Sequence, residues 1–102
     1  MSAQDFKIVE DVHGTYQFQG VLDIHQVDRF KEFLEEQASK GIPDLKISFR
    51  DLNYIDISGL QVLISFKNSK YIPTKLQITS LSPEIEEILT ICGLKTAVLS
   101  RV

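Results

Sequence analysis

The chain has 102 residues, 43% hydrophobic and 25% charged, which is enough for one packed domain over residues 1–102 and too few for two. Eleven Lys and Arg stand against 14 Asp and Glu, a net charge of −3 that repels phosphate backbones and argues against direct nucleic-acid binding. One cysteine, Cys92, excludes an internal disulfide, two histidines supply little metal chemistry, and no apolar run approaches the roughly 18 residues of a membrane span.

Near the start, Phe6, Ile8 and Glu10 alternate with Lys7 and Val9, and beyond Asp11-Val12-His13-Gly14 the alternation resumes through Tyr16, Phe18 and Gly20. Period two on both sides of a short glycine-containing loop predicts a β-hairpin. From Gln26 the period lengthens: Val27, Phe30, Leu34 and Ala38 fall on one helical stripe, widened by Phe33, and Gly41 and Pro43 end it. Leu45, Ile47 and Phe49 read as a strand that leads into Asp51–Ile57. Leu60 to Ile72 is the length of a helix stopped by Pro73, and Leu76 and Ile78 give the next strand. Ser82-Pro83 is a helix start, with a hydroxyl for a free N–H and a proline pre-set for the first turn. Ile85, Ile88, Leu89 and Cys92 then share one face, which makes Cys92 a small core hydrophobe, and Gly93 closes the helix. Ala97–Val102 is expected as a last strand. Strands separated by single helices favour parallel pairing, so the fold class is α/β: a mixed sheet with an N-terminal hairpin and helices packed upon it.

No catalytic constellation emerges. The chain has no Gly-x-Ser-x-Gly elbow, no phosphate-binding Gly-x-x-x-x-Gly-Lys loop and no Gly-x-Gly-x-x-Gly after a strand. His13 falls in a turn and His25 just before a helix, both as solvated residues. Asp51–Leu60 is the exception, because there a strand hands over to a helix at the sheet edge where α/β proteins bind ligands. Free N–H groups at a helix start favour negative charge, including a phosphate on a nearby hydroxyl. Asp56 or Ser58 as a simple helix cap is the plainer alternative.

The string Asn53-Tyr54-Ile55-Asp56-Ile57-Ser58-Gly59-Leu60 resembles the signature of STAS domains, the family of sulphate transporters and bacterial anti-sigma-factor antagonists. Gly20-Val21-Leu22-Asp23 is similar to the family's Gly-x-Leu-Asp step. Leu81-Ser82-Pro83-Glu84 and Cys92-Gly93-Leu94 resemble the start and end of its last helix. The chain departs from the pattern at Ile57, where many antagonists carry a second serine, and at Gln61, where a small residue is frequent.

What the resemblance implies is a STAS-like fold and a cytoplasmic, non-enzymatic switch without a cofactor. Ser58 would be the phosphate acceptor, modified by an anti-sigma factor that is a serine kinase and restored by a serine phosphatase. Asp23, Asn53, Asp56, Ile57, Gly59 and Leu60 would form the partner-binding surface. The unphosphorylated form would bind the anti-sigma factor and free the sigma factor. Some members of the family imply the alternative of a STAS subunit that stabilises a membrane transporter ATPase; a nucleotide-binding domain ranks below both.

Overall fold

A computed structural model describes residues 5–69 and 72–99. The first alternating segments pair as the expected hairpin: β1 (Lys7–Glu10) runs antiparallel to β2 (Tyr16–Leu22), with Ile8 opposite Phe18. Asp11 ties the turn, its carboxylate accepting from the N–H of His13 (2.8 Å), the N–H of Thr15 (3.0 Å) and the Gln17 side-chain amide (3.0 Å). Those donors, Gln17 foremost, hold the Asp11 carboxyl below the ordinary aspartate range.

α1 (Val27–Ser39) carries the chain back so that β3 (Asp44–Ile55) lies parallel to β2. α2 (Ile57–Asn68) then leads to β4 (Lys75–Leu81), parallel to β3 on its other side, for the sheet order β1-β2-β3-β4. β3 is the longest strand among the described residues, and the spacing of its buried apolar side chains changes along it. Leu45, Ile47 and Phe49 follow period two, and then Leu52 and Ile55 follow in steps of three. Two irregularities in the β2–β3 ladder absorb the change: Gln17 pairs with Ser48 but Gln19 with Asp51, and Gly20 pairs with Leu52 but Val21 with Tyr54. Each extra residue on β3 re-aims the side chains beyond it. Gly20 has φ +90° at the second irregularity, a conformation few other residues tolerate.

The core centres on Phe18, whose ring meets Phe6, Phe30, Phe33 and Phe49 edge to face at centroid distances of 5.4–5.7 Å. Ser82 caps α3 (Pro83–Cys92) as expected: its hydroxyl accepts from the Ile85 N–H (3.1 Å) and donates to the Leu52 carbonyl (2.6 Å), which locks the helix start to β3. Ile85 and Leu89 are fully buried and Ile88 is half-buried against the core.

Two expectations are corrected here. Cys92 is exposed, because it ends α3 at Gly93 (φ +71°) and the chain turns away there. Residues 97–99 are helical, in α4 (Lys95–Leu99), instead of opening a strand; residues 100–102 lie outside the described part. The physical cause is local. Once Gly93 turns the chain, the Val98 N–H donates to the Leu94 carbonyl at 3.0 Å, and the four-residue step between Leu94 and Val98 puts Val98 into the core. A short apolar run supports either structure until such a contact chooses. Among the described residues, no helix is long and apolar enough to cross a membrane.

Candidate functional site

β2 and β3 end side by side, and the backbone joins them there: the Asp56 N–H donates to the Leu22 carbonyl at 2.8 Å. Asp23 and Ile24 on one strand exit therefore sit beside Asp56 and Ile57 on the other. Asp23 folds its own exit, its carboxylate accepting from the His25 N–H at 2.9 Å and its carbonyl from the Gln26 N–H at 2.9 Å. Asp56 is the N-cap of α2, in extended conformation, with its side chain accepting from the Ser58 N–H at 2.9 Å. The Ser58 hydroxyl donates to the same carboxylate oxygen at 2.5 Å. The cap is thus Asp56, and Ser58 is the second residue of the helix with a half-buried side chain.

The electrostatics follow from these donors. The Ser58 hydroxyl, then the Ser58 N–H, hold the Asp56 carboxyl below the ordinary aspartate range against the opposing effect of burial, and the Tyr54 hydroxyl adds to the lowering. Asp56 is consequently ionised at neutral pH and fixed as a hydrogen-bond acceptor.

The expected site residues separate into two groups. Asp23, Asp56, Ile57 and Ser58 gather at the sheet edge, where Ile57 is 57% exposed. Asn53 is exposed on β3 at the second register irregularity, before the strand end. Gly59 and Leu60 require correction as partner-facing residues, since both are buried. A Cβ on Gly59 would meet Ile55 Cγ1 at 3.2 Å and Leu22 at 3.5 Å, so its role is to let α2 lie close on the two strand ends. Leu60 points into the core beneath them. The surface gains two apolar side chains instead, Ile24 (65% exposed) and Tyr54 (42% exposed). An apolar Ile24 between Asp23 and His25, off any buried stripe, is the signal by which the sequence could have shown it. An open groove of about 520 Å³ also runs between α1 and α2, with Ser58 on its wall.

The STAS-domain family model matches residues 4–100. The chain belongs to the STAS-domain family. This STAS domain is 32% identical over 77 residues to the anti-sigma-B factor antagonist of Bacillus subtilis (strain 168), across 74% of this chain and 70% of that protein. Its fold is similar to an anti-sigma factor antagonist from Mycobacterium paratuberculosis, with TM-score 0.71, 14% identity, and 93% of this chain and 84% of that chain covered. It is also similar to SpoIIAA, an anti-sigma factor antagonist solved in unphosphorylated form, with TM-score 0.65, 17% identity, and coverage of 88% and 82%. The phosphorylated form of SpoIIAA, a Bacillus cell fate determinant, superimposes with TM-score 0.60 at 18% identity over 88% and 85%. At those identities the structures establish a shared STAS fold, with its mixed sheet and alternating helices.

Proposed function

We propose that this chain is a cytoplasmic anti-sigma factor antagonist switched by reversible phosphorylation of Ser58. The observation that carries the reading is the half-buried Ser58 hydroxyl aimed by Asp56 at a sheet edge flanked by exposed Ile24, Tyr54 and Ile57. Kinship with an anti-sigma-B factor antagonist, and fold likeness to a protein solved in both unphosphorylated and phosphorylated forms, support it.

The chemistry belongs to the partners. A serine kinase transfers the γ-phosphoryl group of ATP to Ser58 Oγ; the hydroxyl proton leaves and ADP is released. Asp56 orients the hydroxyl by accepting its hydrogen bond. A serine phosphatase returns the hydroxyl by hydrolysis. The phosphate brings about −1.5 to −2 charges at neutral pH. An anti-sigma factor seated on Ile24, Tyr54 and Ile57 would have to strip water from that charge beside Asp56. Such a penalty is several kcal/mol, or orders of magnitude in affinity, and needs no change of fold.

The test is intact mass of the chain purified from its own host, with and without phosphatase treatment. The expected result is a phosphatase-sensitive increment of one phosphate, localised to Ser58. Unmodified Ser58 under every growth condition, together with copurification of a membrane transporter ATPase, would overturn the reading.

A further inference from the structure

The groove between α1 and α2 has walls that helical spacing explains. α1 contributes Val27, Lys31 and Leu34, and α2 contributes Ser58, Gln61 and Val62. Ser58 therefore opens the same groove in which Lys31, from the facing helix, supplies the cation. Among the described residues Lys31 makes no ion pair, although Glu35 follows it one turn later on the same wall.

Esterification changes what Ser58 can touch. Its hydroxyl now donates to Asp56, and a phosphoester has no proton for that bond. The new anion is repelled by Asp56, and Asp23 stands at the adjacent strand exit. Across the groove that Ser58 already lines, the facing wall of α1 carries the lysine.

We propose that phosphorylated Ser58 seats its phosphate in the mouth of the α1–α2 groove, where the Lys31 ammonium pairs with it. Lys31 is then a positioning residue of the phosphorylated state, and it holds the phosphate against the domain. This deepens the reading of Ser58 as the acceptor and rests on it. Of the charged side chains placed around Ser58, Lys31 would attract the phosphate and Asp56, Asp23 and Glu35 would oppose it, with His25 beside Asp23 at the strand exit.

The experiment installs phosphoserine at position 58 during synthesis of the full chain, and follows its phosphorus NMR shift through the second ionisation. Lys31→Gln should raise the titration midpoint by about half a pH unit, the effect of one unit charge some 5 Å away in a water-like medium. Lys31→Arg should leave the midpoint near wild type, and so should Lys40→Gln, whose lysine pairs with Glu36 at the far end of α1. Equal midpoints for Lys31→Gln and Lys40→Gln, with both chains folded by circular dichroism, would overturn the proposal. Because the phosphate is installed directly, that failure is separate from failure of the acceptor reading, which shows only in the mass of the protein from its host.

Discussion

The oxygen of Asp56 that accepts the Ser58 N–H also accepts the Ser58 hydroxyl, so one carboxylate both caps α2 and orients that hydroxyl. Ser58→Ala removes only the second bond and leaves the cap, and should cost at most about 1 kcal/mol by thermal melting. Ser58→Asp is different. A carboxylate near a helix start gains roughly 0.3–1 kcal/mol from the backbone dipoles. Here it meets Asp56 at contact distance, where repulsion costs about 1 kcal/mol even in a water-like medium and a hydrogen bond is lost as well. A net loss near 1 kcal/mol is expected, so the aspartate variant mimics the charge of phosphoserine at some cost in stability. Asp56 itself sets a pH signature. Its folded-state pKa lies below the unfolded value, so its contribution is fully present above the ordinary aspartate range and is lost as pH falls through the folded value. The melting-temperature gap between wild type and Asp56→Asn should be constant above about pH 5 and narrow below about pH 4. A gap that widens on acidification would contradict the assigned direction.

At the scale of elements, α2 approaches the sheet closely because position 59 has no side chain. Gly59→Ala sets a 3.2 Å contact with the movable Ile55 side chain against a gain in helix propensity of about 1 kcal/mol, and should be close to neutral. Gly59→Val adds two methyls to the same space and a β-branch to the helix, so a loss of about 1–3 kcal/mol is expected in denaturant titration. If partner affinity falls while stability does not, Gly59 belongs to the docking surface after all. These elements differ in how far the sequence revealed them. The hairpin, α1 and the Ser82-capped α3 were legible because period and capping chemistry agreed. β3 was legible only to Phe49, since the register irregularities near Gly20 turn its buried spacing from two into three. The strand expected at Ala97–Val102 is replaced by helix at residues 97–99, because what decides it is the Leu94–Val98 step into the core, a contact that no local pattern encodes. In the site, the motif pointed to Asp56 and Ser58. The burial of Gly59 and Leu60 depends on the strand ends beneath them and was hidden for that reason.

For the whole molecule, the sheet carries the buried core and the proposed switch sits at the ends of β2 and β3. Ile47 lies fully buried in the central strand, so Ile47→Asp gives up about 1.5–3 kcal/mol of burial and leaves a charge without water or partner. Against a typical total of 5–15 kcal/mol, most of the variant should be unfolded at 25 °C by circular dichroism. The proposed switch at the edge asks nothing of that core, so phosphorylation there would act through the surface alone. The most direct measurement is calorimetric titration of the proposed anti-sigma partner, isolated on the Ser58→Ala chain, with unmodified and Ser58-phosphorylated protein. A loss of at least about 100-fold in affinity on phosphorylation, with unchanged far-ultraviolet circular dichroism, is the expected result. Equal affinities for the two forms would contradict the switch.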